Sequence, residues 1–175
     1  MSKWIIDPSH SEVQFKVKHL VISTVTGSFK EYEGEAESTT DDFTDAKATF
    51  SATVNSIETN AAQRDEHLKS PDFFDAANHP KINFVSTSLL KKSGSDYTLK
   101  GDLTIKGKTN QVELNVEFGG IANDLYGQTK AGFEITGKIN RQDYGLTWGA
   151  LTEAGGIVVS DDVKLQLNIQ LTKQA

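Results

Sequence analysis

The sequence predicts an all-β fold of seven or eight long antiparallel strands, closed into a barrel or stacked as a sandwich. Three observations carry this. Apolar residues recur with a period of two over most of the chain, as in half-buried strands. Short Gly/Ser/Asn/Asp turns separate the alternating segments. One polar, helix-like stretch, Thr59 to Pro80, interrupts the pattern.

The segments follow in order. Val13, Phe15 and Val17 share one parity, with Gln14, Lys16 and Lys18 on the other. Tyr32–Thr39 is poorer in apolar residues and predicts a more exposed strand. Phe50, Ala52 and Val54 form the next inward set, then Ile82 and Phe84. Tyr97, Leu99, Gly101, Leu103 and Ile105 alternate, as do Val112, Leu114, Val116 and Phe118. Ala131, Phe133, Ile135, Gly137 and Ile139 follow, and Val163, Leu165, Leu167, Ile169 and Leu171 close the series. Ser93–Asp96 and Lys106–Asn110 read as hairpin connections; Gly119-Gly120 and Ala122–Asp124 read as breaks before the next strand. Polar outer faces and short connections indicate antiparallel pairing. Small residues on or beside these strands, among them Ala36, Ala48, Ala52, Gly101, Gly132 and Gly137, either leave room inside or mark bulges and corners.

In the interruption, Asn60 with Gln63 three residues on matches a capping box, and Ser70-Pro71 matches an N-cap and first position of a second helical turn. Pro80 ends it. The expectation is one or two short helices inserted between strands.

At 175 residues the chain is expected to form one domain, 1–175, large enough to bury a core or enclose a cavity. The net charge of -6 and the lack of a Lys/Arg cluster disfavour nucleic acid and an anionic membrane surface as partners. No apolar run reaches the roughly 20 residues of a membrane helix. The absence of cysteine excludes disulfides, zinc–thiolate sites and thiol nucleophiles. Met1–Pro8 lacks a signal-peptide pattern, so the expected compartment is the cytoplasm.

Catalytic motifs are absent: no GxSxG elbow, phosphate loop or dinucleotide fingerprint occurs. His10, His19, His67 and His79 stand near carboxylates but at no metal-binding spacing, so the expected metal is none. A triad assembled from Ser11, His10 and an aspartate has no supporting context. Arg64–Asp75 reads as a salt-bridged insertion that plugs one barrel end with Phe73 and Phe74, or as a lid that meets a ligand head group. Trp4 reads as core, and Arg141–Trp148 as a structural corner with an Arg–Asp contact.

Taken in order, Trp4–Ser11 with Val13, Phe15, Val17 and His19, then Gly27-Ser28-Phe29, then Arg64–Asp75 with Pro80 and Ile82–Phe84, then Gly101–Thr109 and Asn140–Trp148, resemble the YceI-like family of lipocalin-like proteins. The resemblance implies an extended eight-stranded antiparallel barrel with a short helical insertion. It implies no enzyme and no required cofactor, but an internal apolar channel holding a polyisoprenoid, an isoprenoid quinone or another long amphiphilic lipid. Members are often dimeric and often periplasmic. On the inward parity the channel would be lined by Val13, Phe15, Val17, Phe50, Phe84, Leu99, Leu103, Leu114, Val116, Phe133, Ile135, Leu165 and Leu167. His19, Arg64, His67, Asp72, Phe73 and Phe74 would stand at the mouth, Arg64 facing a phosphate or quinone oxygen. Burying several hundred Å² of tail would contribute on the order of 10 kcal/mol before ordering costs. The rival expectations are an enzyme acting on such a lipid through His67 with Asp65, or His10, and a structural domain whose interior is filled by its own side chains.

Overall fold

The computed structural model describes residues 1–149 and 159–175. They form a closed antiparallel barrel of eight staves with one short helix. The first three staves are each broken into two strands. β1 (Ser2–Ile6) and β2 (Glu12–His19) make the first, joined through a 3-10 turn at Pro8–His10. β3 (Ser23–Phe29) and β4 (Tyr32–Ser38) make the second; β5 (Lys47–Thr53) and β6 (Ile57–Glu58) make the third. Helix α1 (Ala62–Lys69) follows. The remaining staves are continuous: β7 (Lys81–Ser93), β8 (Asp96–Ile105), β9 (Lys108–Asn123), β10 (Thr129–Asn140) and β11 (Asp162–Lys173).

β11 closes the barrel by pairing with both halves of the first stave, Leu167 opposite Val13 and Leu171 opposite Ile6. The breaks in the first three staves lie side by side and are tied together. Tyr32 Oη donates to Ser11 O (2.8 Å), Thr53 N to Glu31 O (2.9 Å) and Lys30 N to Ser56 O (3.2 Å). These bonds satisfy backbone groups that the bends take out of the strand ladders. β7 pairs with β5 and not with β6. The chain from Thr59 to Pro80 leaves the barrel at that point, and α1 packs beside β6.

Several local expectations are corrected. Asn60 does not cap the helix; it turns the chain in the left-handed region (φ 67°), which Asn tolerates better than most residues. Ala61 is the N-cap without a side-chain bond, and Asp65 reaches back instead to accept from Thr59 N (2.8 Å). Ser70 ends α1 rather than starting a second helix: its N–H and hydroxyl both donate to His67 O. Pro71 has no N–H to extend the ladder, and a turn returns at Phe73 N to Ser70 O (3.0 Å). Val54 leaves the strand into a 3-10 turn yet stays buried. The strands β1, β3 and β6 were not among the alternating segments.

Gly119-Gly120 does not end a strand. β9 runs through to Asn123, with Gly119 as an extra residue in a bulge: Gly132 pairs with Gly120, and Phe133 with Phe118. Gly120 takes φ 102°, open to glycine alone. The small inward residues divide into two kinds. A Cβ on Gly101 would stand 2.4 Å from the Phe84 ring, and one on Gly137 2.3 Å from Leu114 Cδ2. Those glycines admit a neighbour's side chain rather than leaving a void. Ala36, Ala48 and Ala52 do border open space.

Candidate functional site

The inward faces enclose a cavity of about 450 Å³. Every expected channel residue, from Val13 on β2 to Leu167 on β11, lines it. Alternation puts these side chains inside, and the alanines of the second and third staves keep that wall thin. The interior is therefore not filled by the protein's own side chains.

One end is sealed by aromatics. Phe43, 1% exposed, sits 5.1 Å from Trp4, 5.5 Å from Phe118 and 5.0 Å from Phe133, centroid to centroid. Phe118 and Phe133 stack at 5.0 Å across the bulge, and Tyr97 meets Phe118 edge-on. Tyr97 Oη donates to Asp42 O (2.7 Å) and pins the segment that carries Phe43. Burial pushes the Tyr97 phenol pKa up, so it stays a donor. Asp45 holds the same segment by accepting from Ser38 Oγ (2.6 Å) and Thr39 N (2.9 Å), which keep its carboxyl well below the usual range. Phe43 carried no periodicity signal, because it lies in a loop.

The other end lies under α1 and the turn after it. Arg64, His67, Leu68, Phe73 and Phe74 line the cavity there, with His19 and Val159, which bridge β2 to the approach to β11. Phe74 meets Phe29 edge-on at 6.2 Å, and Phe29 meets Phe15, so this insertion is keyed into the wall. His67 packs edge-on against Phe73 (5.2 Å) and Trp148 (4.8 Å). Its Nε2 lies 2.9 Å from Asp72 Oδ2. Asp72 does not itself line the cavity; it holds His67 from outside. Arg64 folds back onto Thr59, Nε at 2.8 Å from Oγ1 and Nη2 on the carbonyl, leaving Nη1 without a partner among the described residues.

Arg141 and Trp148, expected as a structural corner, also line this end of the cavity. Arg141 is 4% exposed, and its guanidinium donates to the carbonyls of Leu146, Trp148, Val159 and Ser160. Its ion-pair partner is Asp161 (3.5 Å). Burial pushes its pKa down, and Asp161 pushes it back up. Arg141 therefore staples the segment carrying Trp148 over the cavity. A lone Arg beside aromatics gave only a weak sign of this.

The acid–base pairs considered from sequence are not assembled. Asp65 turns to Thr59 and not to His67. Ser11 Oγ donates to Asp7 O and accepts from Gln170 N, so its hydroxyl is structural. His10 Nδ1 meets both Asp7 Oδ2 (2.8 Å) and Ser9 Oγ (3.1 Å), a cap on the 3-10 turn rather than a relay through two ring nitrogens. Ser9, His10 and Lys130 hold Asp7 well below the usual carboxylate range.

The YceI-like domain family matches the chain over residues 4–171. A UPF0312 protein of Staphylococcus aureus is 39% identical over 173 residues, covering 98% of each chain. The Campylobacter jejuni YCEI protein superposes with a TM-score of 0.77 at 30% identity, over 90% of each chain. A polyisoprenoid binding domain from Saccharophagus degradans, implicated in plant cell wall breakdown, shares the fold at TM-score 0.70 and 18% identity, over 98% of each.

Proposed function

The chain belongs to the YceI-like domain family, and on that premise we propose that it binds and carries a long amphiphilic lipid of the polyisoprenoid or isoprenoid-quinone class, without transforming it. One observation carries the reading: an apolar cavity of about 450 Å³, closed by an aromatic floor and covered at the other end by α1. An apolar tail gains by leaving water without any directed bond. The head group meets the polar side chains of the α1 end, where Arg64 Nη1 offers a donor to a phosphate or carbonyl oxygen. The solved relative described as a polyisoprenoid binding domain supports this chemistry for a barrel of the same shape. Carriage rather than catalysis is favoured because the cavity wall is apolar and the carboxylates near His67 do not line it: Asp72 meets His67 from outside and Asp65 turns to Thr59.

The test is to purify the protein without added lipid and record native and extracted masses. A retained isoprenoid mass, released intact after prolonged incubation, is the expected result. A shortened or oxidised product would show an enzyme. A preparation that neither holds a lipid nor takes up geranylgeraniol would remove the carrier reading.

A further inference from the structure

The hairpin joining β2 to β3 turns on residues ill suited to it. Ile22 N donates to His19 O, and the two residues between, Leu20 (φ 54°) and Val21 (φ 67°), are both left-handed. Such a turn matches strand twist and normally holds Asn-Gly or Asp-Gly. A β-branched residue in that region is strained. Leu20, Val21 and Ile22 also stand in water, 38%, 74% and 84% exposed. Asn-Gly would remove both penalties, yet the chain keeps three consecutive apolar residues. At the sealed end, by contrast, exposed Leu125 and Tyr126 sit on a turn where Gly127 takes the positive φ and Asp124 caps the backbone.

Two further features locate what the tip meets. Immediately behind it Val17 faces Val25 across the hairpin, and both line the cavity with His19, so the tip stands beside the wall of the covered end. Local charge also differs from the overall -6: between Glu12 and Glu31 the chain has Lys16, Lys18, Lys30 and His19 and no carboxylate, and Asp161 and Asp162, which follow Ser160 beside Lys18, are paired with Arg141 and Lys138. Lys16 stands directly opposite Lys164 on β11, a like-charged pairing that opposes stability.

We propose that the Leu20–Ile22 tip is a membrane-contact site. It seats in the interfacial layer of a bilayer bearing anionic headgroups, with Lys16 and Lys18 against those headgroups, and brings the covered end of the barrel to the lipid. Net charge does not exclude this, because screening confines the interaction to about a Debye length and the local sign decides. The contact is peripheral: no described helix is long and apolar enough to cross a membrane. The inference rests on the carrier reading, since it explains how a tail enters without crossing water.

Flotation with vesicles tests it. The protein should float with phosphatidylcholine–phosphatidylglycerol vesicles at low salt and less with phosphatidylcholine alone. The double variant Leu20→Asn/Val21→Gly should raise the thermal unfolding midpoint yet weaken vesicle binding by about tenfold or more. Lys16→Gln/Lys18→Gln should weaken binding by about fivefold per lysine on the anionic vesicles only. Failure of the unmodified protein to float, or equal flotation by the tip variant, would overturn the proposal. So would a tip variant that converts a dimer to a monomer without altering flotation, since the tip would then be an interface between copies. Uptake of geranylgeraniol from detergent solution, retained in the tip variant, separates failure of this contact from failure of the carrier reading.

Discussion

Asp72 holds His67 by its Nε2 at 2.9 Å, and the held ring meets the Trp148 indole edge-on at 4.8 Å. A carboxylate outside the cavity thereby joins the α1 insertion to the segment stapled by Arg141. The pair is substantially exposed, 40% and 56% by side chain, so it contributes at most about 1 kcal/mol. Asp72→Ala should accordingly speed release of bound geranylgeraniol by up to about fivefold, with little change in unfolding midpoint. Stopped-flow dissociation measures this; an unaltered release rate would mean that this pair does not hold the cover.

Ala52 is 1% exposed, pairs with Tyr32 and Ile82, and faces the open interior. Ala52→Phe places a ring where the tail would lie. Overpacking normally costs about 1–3 kcal/mol, and the adjoining space relieves part of it. Circular dichroism should remain that of a folded barrel while extracted lipid disappears. Full occupancy in the folded variant would move the ligand out of this cavity.

Arg141→Met keeps much of the side-chain volume but strands four carbonyls that the guanidinium satisfies. Burying unpaired polar groups makes a loss of about 3 kcal/mol the expected outcome in urea unfolding. Arg141→Lys should recover only part of it, since one ammonium cannot reproduce the planar fork.

The barrel was legible because period-two alternation is dictated by the pleat, and residues such as Phe15, Leu103 and Ile135 had one face available to them. The first three staves were harder to read. Ser23–Phe29 carries few apolar residues, and its inward Gly27 leaves room for the Phe15 ring that a Cβ would strike at 2.2 Å. Ends of the barrel are built from loops, where no period exists. Phe43 is placed by the Tyr97 side chain on the carbonyl of Asp42, a partner distant in sequence, and Trp148 by the Arg141 guanidinium on its own carbonyl, a contact of irregular backbone that no period announces. Asn60 and Ser70 misled because cap-forming side chains also serve in turns and helix ends.

Acid should loosen the aromatic floor. The Asp45 carboxyl is held below its unfolded value by Ser38 and Thr39, so its contribution is fully present above about pH 4. It is lost as pH falls from there through the depressed folded value. Asp45→Asn should be less stable than the parent at neutral pH, and its stability should fall less between roughly pH 5 and pH 3. Parallel stability curves for the two proteins would assign the floor's acid response elsewhere.

Phe43 combines two opposed effects in one residue. Its ring fills the space between Trp4, Phe118 and Phe133, and large-to-small changes at such sites cost about 3–5 kcal/mol. Its backbone sits at φ 61°, where a non-glycine residue costs about 1–2 kcal/mol. Phe43→Ala loses the ring and keeps the strain; Phe43→Gly loses the ring and removes it. Denaturant unfolding should therefore rank the glycine variant above the alanine variant, the reverse of the order at an ordinary loop position. Because Phe43 borders the cavity, Phe43→Leu, milder in stability, should lengthen the space available to a tail. Competition between isoprenoid alcohols of increasing length should then shift toward the longer one. An unchanged preference would place the end of the bound tail short of the floor and leave Phe43 as packing alone.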